Sequence, residues 1–171
     1  DYGPSTKLMG SLNHIKDFDC VIILDDDHIY QKDIFKIFLN EFKKNKNNFS
    51  YYVQKVFELN MGQGADCILI NTKDLNKIEN FYRDYVKNNK NLFLNDDLWI
   101  SIYLQFIANN KIINLSDLYK NKTNKDIVYE KHSNIDSLKD VIKKGILNRR
   151  KIAKLEYLKF KVKNYFRSLI H

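Results

Sequence analysis

Proline occurs once and glycine five times in 171 residues. Long irregular loops are therefore not expected, because these two residues supply most turn geometries. Cysteine occurs only twice, at Cys20 and Cys67, each inside an apolar, strand-like run. That excludes a disulfide framework and a four-ligand zinc site, and reads as buried thiols in a reducing compartment. No apolar run approaches the roughly 20 residues that span a bilayer, and no secretory signal opens the chain. The first residue is Asp rather than Met, so the native start is expected to lie elsewhere. Acidic residues are outnumbered by basic ones, 21 against 29, which leaves a net charge of +8. Such a balance favours anionic partners: nucleotides, phosphorylated lipids, an acidic membrane face or nucleic acid. Lys and Asn are also what AT-rich codons encode, so the charge alone decides little.

What the chain does have is apolar and aromatic content, 44% and 13% of residues, enough for one domain with a proper core. The stretch DCVIILDDDHIY, residues 19–30, organises the rest. Cys20 to Leu24 is an unbroken apolar run rich in β-branched residues and too short for a helix. It predicts a buried strand flanked by other strands. Asp25, Asp26 and Asp27 follow at once. Carboxylates packed this closely repel one another unless a cation or hydrogen-bond donors sit among them. The carboxyl end of a buried strand is also where open α/β sheets place ligands. The alternative reading is a plain acidic turn.

The remaining pattern is mixed. Residues 5–12 predict a short helix with Lys7 in its first turn. Ile34, Ile37, Phe38 and Phe42 recur at helical spacing over residues 31–44. Residues 50–59 read as a strand, NMGQG at 60–64 as a turn, and 65–71 as a second apolar strand. Residues 74–86 form an amphipathic helix with Leu75, Ile78, Phe81, Tyr82 and Tyr85 inward. Residues 88–91 read as a loop. Asn95 or Asp96 starts a strongly apolar helix, and residues 111–115 give a short strand. Residues 120–136 are polar and without clear pattern, and 137–171 are helical with a break near Gly145. This order gives mixed α/β with some antiparallel pairing. The domain division falls at 1–130 and 131–171.

Two acidic clusters carry the chemistry. Asp25 and Asp27, flanking Asp26, suit a hard divalent cation such as Mn²⁺ or Mg²⁺, which takes carboxylate oxygens. Asp96 and Asp97 stand at a helix start, where Asp is a good N-cap. One of the two is expected to be that cap, and the other is then free to face a cleft as a general base. The glycines of Gly62-Gln63-Gly64 let backbone approach a ligand closely, although a hairpin turn would use them equally well.

The ordered set DYGPSTKL, VIILDDDHIY, the G-x-G turn and NDDLWISIYL resembles glycosyltransferases of the GT-A fold, in particular the inverting, family 2-like enzymes. The likeness covers about residues 1–116. It implies a mixed α/β sheet flanked by helices, with a helical C-terminal extension. It implies a metal-dependent enzyme moving a sugar from a nucleotide-diphosphate donor to a glycan or lipid-linked acceptor, with inversion. Asp25 and Asp27 would bind Mn²⁺ or Mg²⁺, and Asp26 would touch the ribose or sugar. Lys7 would lie near the nucleotide, and Gly62 and Gly64 would line the donor-sugar and acceptor pocket. Asp97, or else Asp96, would deprotonate the acceptor hydroxyl, and His132 lies where some of these enzymes place a further metal ligand. The chain departs from the pattern at its start. The family's first nucleotide-binding strands precede the D-x-D by tens of residues and have no counterpart here. The expectation is a fragment or truncated product that exposes an apolar sheet edge and transfers sugar weakly or not at all.

Residues 148–171 place Ile152, Leu155, Leu158, Val162, Phe166 and Leu169 at spacings of three or four among Lys and Arg, with one acid, Glu156. Two readings follow: a basic amphipathic helix lying on an anionic membrane, or a helix packed on the domain with a solvated lysine face. The expected location is cytoplasmic and peripheral at the membrane. A metal-dependent nucleotidyltransferase and a basic nucleic-acid- or membrane-binding module are the competing functions. No Gly-rich phosphate loop supports the first. No recognised RNA- or DNA-binding motif supports nucleic acid as a partner.

Overall fold

The computed structural model describes residues 2–26, 29–64, 67–119, 129–131 and 139–168, without the side chains of residues 29, 119, 129–131, 139–147 and 166–168. Among these, eight strands are β1 (Cys20–Ile23), β2 (Ile29–Tyr30), β3 (Asn48–Ser50), β4 (Val53–Val56), β5 (Leu59–Gly62), β6 (Ile68–Asn71), β7 (Ile112–Asn114) and β8 (Tyr129–Lys131). Four of them make the central mixed sheet, in the order β1-β6-β3-β7. β1 and β3 run antiparallel to β6, while β7 is parallel to β3. The fold is thus mixed α/β, as the order of sequence patterns predicts.

Alternation along each strand sorts side chains to two faces. Val21, Ile23, Ile68, Ile70 and Ile112 pack into one core. Cys20, Ile22, Phe49, Leu69 and Ile113 pack into the other, against Ile34, Phe38 and Phe42 of the helix α3 (Ile34–Asn45). This corrects the expected setting of β1. It is the outer strand, with β6 its one strand partner among the described residues. Its unbroken apolar run reflects cover on both faces, not strands on both sides.

The N-terminal segment is a 3-10 turn (Gly3–Ser5), then α1 (Thr6–Met9) and α2 (Leu12–Ile15). The single helix expected over 5–12 is interrupted because the Ser11 hydroxyl bonds back to the carbonyls of Lys7 and Leu8, 2.9 Å from each, in competition with the helical ladder. Residues 50–62 differ from expectation too. β4 and β5 form a hairpin whose turn is Phe57-Glu58, with Phe57 at φ +55°. Gly62 therefore ends a strand instead of lying in a turn.

After β6 come a 3-10 segment (Thr72–Lys77), α4 (Ile78–Phe81) and a π turn (Tyr82–Val86). The expected 88–91 loop is instead the start of α5 (Lys90–Phe93), whose N-cap Asn89 accepts the amides of Asn91 and Leu92. Next are α6 (Asp96–Ile102), extended by a π turn (Tyr103–Ile107), and later α7 (Leu115–Tyr119). Trp99, Ile102 and Tyr103 are fully buried in the first core. α8 (Lys139–Ser168) runs through Gly145 without the expected break. It buries Ala153, Glu156, Tyr157 and Phe160 against that same core. The expected boundary near residue 130 adjoins two segments, 120–128 and 132–138, that lie outside the described residues. Among the described residues, no helix is long and apolar enough to cross a membrane.

Candidate active site

Several elements converge on one cavity of about 910 Å³: α1, the end of β1, the segment after β5 and the start of α6, together with β4 and α8. α1 brings Lys7 over Asp25, and its Nζ lies 2.6 Å from Asp25 Oδ1 and 4.0 Å from Asp96 Oδ2. Asp25 is itself fixed from behind. The Tyr30 hydroxyl accepts the Asp25 amide and donates to the Asp25 carbonyl, both at 3.0 Å. The backbone is pinned while the carboxylate stays open to the cavity. Gly64 closes the floor, its amide donating to Asp97 Oδ1 at 2.8 Å.

Gly64 is required by closeness. A Cβ there would stand 3.2 Å from Lys7 Nζ and 3.3 Å from Asp97 Oδ1. Gly62, by contrast, is outside the cavity lining. Its amide donates to the buried Ser101 hydroxyl at 3.0 Å, and an added Cβ would meet Ser50 and Ile68 at 3.1 and 3.2 Å. Gly62 thus allows the hairpin to pack on α6, and Gly64 allows Lys7 and Asp97 to approach each other.

The expected N-cap also differs. Asn95 holds that position, its carbonyl accepting the amides of Leu98 and Trp99 at 3.1 and 3.2 Å. Asp96 and Asp97 are the first two helical residues, where the helix dipole favours negative charge, and both line the cavity. Their carboxylates are close enough to interact. Burial first, then the charge of Asp96, pushes the Asp97 carboxyl up to about 7, against the opposing pull of the Gly64 amide and Lys7. For Lys7, burial works against the ammonium. The hydrogen bond to Asp25 and the charges of Asp25, Asp96 and Asp97 outweigh it, and its pKa is raised. A lysine held charged beside an aspartate poised near neutrality is an arrangement suited to proton transfer at an anionic centre.

A basic wall, Lys55, Arg149, Arg150 and Lys154, also lines the cavity, as do Tyr52 and Gln54. The Gln54 amide nitrogen is buried with no hydrogen-bond partner among the described residues. A buried donor without an acceptor is costly. Reading the sequence alone missed this wall. Arg149 and Arg150 were legible only as part of a basic tail, and Gln54 carried no signal at all.

Of the residues expected from sequence, Lys7, Asp25, Asp96, Asp97 and Gly64 share the cavity, and Asp26 is exposed in the turn beside it and does not line it. Asp27 and His132 lie outside the described residues. The expected metal is therefore tested on Asp25 alone. It offers carboxylate oxygens, the donor type hard divalent ions take, but one of them already faces the Lys7 ammonium. Among the described residues no group of three His, Cys, Asp or Glu side chains is arranged to hold a metal ion. The donor chemistry fits; a complete ligand set would need Asp27 as well. No family model, no curated protein and no solved structure matches this chain.

Proposed function

We propose that this chain carries the catalytic region of a metal-dependent glycosyltransferase of the GT-A type, acting on a nucleotide-diphosphate sugar with inversion. The observation that carries the reading is the meeting of Lys7, Asp25, Gly64 and Asp97 in one cavity, with Asp97 held near neutrality. These residues come from segments up to 90 positions apart in sequence, Lys7 to Asp97, and they are the ones the four motifs single out.

Each has a role in this reading. Asp97 takes the proton from the acceptor hydroxyl as it attacks the anomeric carbon. A carboxyl near 7 is a stronger base than an ordinary Asp, yet ionised enough to act at neutral pH. The Gly64 amide orients that carboxylate. Asp25, with Asp27, would hold Mn²⁺ or Mg²⁺. When bound, such an ion neutralises the departing diphosphate. Lys7 adds fixed positive charge at the same end of the cavity, and the basic wall of Lys55, Arg149, Arg150 and Lys154 suits further phosphate or anionic acceptor groups.

The test is thermal unfolding of the chain with Mn²⁺ and UDP or GDP, alone and together. A rise that needs both metal and nucleotide is expected, and Asp25→Asn should abolish it. A chain whose melting ignores metal and nucleotide in every combination would sink the reading.

A further inference from the structure

α8 is apolar on two opposite faces. One is spent on the core through Ala153, Tyr157 and Phe160. The other points away from the body: Leu155, Leu158 and Val162 are 50, 48 and 55% exposed, at spacings of three and four that keep them on one line. Tyr165, also exposed, continues that line. The sequence pattern put Ile152, Leu155, Leu158, Val162, Phe166 and Leu169 on one face, for either a membrane or the domain. In the structure Leu155, Leu158 and Val162 stay outward together, and Tyr157 and Phe160 take the inward role.

Lys151, Lys154 and Lys159 border the outward line and are exposed, while Lys161 pairs with Glu58 and Lys163 lies over the Tyr85 ring, 4.3 Å from its centre. Residues 148–168 hold eight basic residues and one acid. That acid, Glu156, is buried at 2% exposure and fully engaged by Asn89, Asn91 and Lys159. From 148 to 165 α8 itself therefore presents positive charge without a free carboxylate of its own, and the acid beside it, Glu58 of the β4–β5 turn, is paired with Lys161. A second copy of this chain would bring the same lysines against it and be repelled. A bilayer with anionic headgroups attracts them, and it accepts a convex apolar line without a shaped pocket.

We infer that the outward face of α8, centred on Leu155, Leu158 and Val162, docks on an anionic membrane surface. The same helix lines the cavity one turn earlier through Arg149, Arg150, Ala153 and Lys154. Docking therefore holds the cavity beside the headgroup layer. If the proposed sugar transfer is right, its acceptor is then a lipid-borne one.

The experiment is cosedimentation of the full chain with vesicles of phosphatidylcholine alone or with phosphatidylserine added. Binding is expected only to the anionic vesicles and should weaken steeply with salt, by about fivefold per lysine disengaged. The Leu158→Ser/Val162→Ser variant should bind roughly tenfold more weakly or worse, with unchanged melting because both positions are exposed. Equal binding to neutral and anionic vesicles overturns the inference without any variant being needed. So does an undiminished double variant, or a wild-type dimer that the double variant converts to monomer in light scattering. None of these readouts uses sugar transfer, so failure here and failure of the glycosyltransferase reading are separable.

Discussion

Gly64 and Asp97 are joined across the cavity floor by a 2.8 Å hydrogen bond, from the amide of one to the carboxylate of the other. The bond orients the oxygen pair and partly offsets the cost of burying it. It does not cancel that cost, and the Asp97 carboxyl stays at about 7.

A rate that depends on ionised Asp97 should rise with pH and level off above about 7. Lys7 lowers the Asp97 pKa, so Lys7→Ala should move that limb to higher pH as well as weaken donor binding. Asp97→Asn should reduce turnover by about 10²–10⁴-fold, the usual contribution of a positioned base. A pH–rate profile for sugar transfer checks all three, and an unmoved limb in Lys7→Ala would contradict the assigned coupling.

The same carboxyl affects stability, with the opposite sign to most aspartates. Its folded pKa, about 7, lies above the ordinary 3.8. Between those values the folded chain keeps a proton that the unfolded chain has released. This group's contribution is complete below the unfolded pKa and is lost as pH rises through the folded one. Asp97→Asn keeps an oxygen for the Gly64 amide and removes the charge. The variant should be more stable than wild type by up to about 4 kcal/mol at alkaline pH, with the difference vanishing toward acid. Urea titrations of both proteins across pH measure it.

Gly64→Ala should separate site geometry from folding. The new methyl presses on Lys7 Nζ and Asp97 Oδ1, at 3.2 and 3.3 Å. The lysine end can move aside, so stability should fall by about 1 kcal/mol or less. Transfer should fall tenfold or more, because a small misplacement of the base is felt strongly in the rate. Calorimetry beside an activity assay distinguishes this from a general packing defect, which would lower both together.

Glu156 anchors α8 to α5. Its carboxylate accepts from Asn89 at 2.7 Å, and from Asn91 and Lys159 at 2.9 Å. Burial raises its pKa, but these three partners prevail and the net direction is downward. Glu156→Ala leaves two amides without their acceptor and should cost about 2–3 kcal/mol. For wild type, this group's contribution is present above its unfolded pKa and fades as pH falls through the lower folded one. Thermal melts of the variant and the parent at neutral and acid pH should converge toward acid.

How much of this was legible beforehand differs element by element. α3 announced itself through Ile34, Phe38 and Phe42 because amphipathic spacing is local. β1 was legible as a strand, but its place at the margin of the sheet was not. Two covered faces and two flanking strands write the same apolar run. The hairpin was misjudged because Gly62 and Gly64 look like turn residues, while the turn itself rests on Phe57 with φ +55°, which nothing in that side chain advertises. Asp25, Asp96 and Asp97 were found through motif order. The basic wall of the cavity was missed because Gln54 and Arg149 meet it only through long-range packing of α8 beside β4.

Trp99 is the one tryptophan of the chain and is fully buried. Its indole N–H donates to the Ser5 hydroxyl at 3.3 Å, two positions before Lys7, and it follows Asp97 by two. The chain thus carries an intrinsic fluorophore wedged between two of the segments that line the cavity. Selective excitation should give blue-shifted emission from the native protein, and nucleotide or metal arriving at Lys7 and Asp97 should register in its intensity without any label.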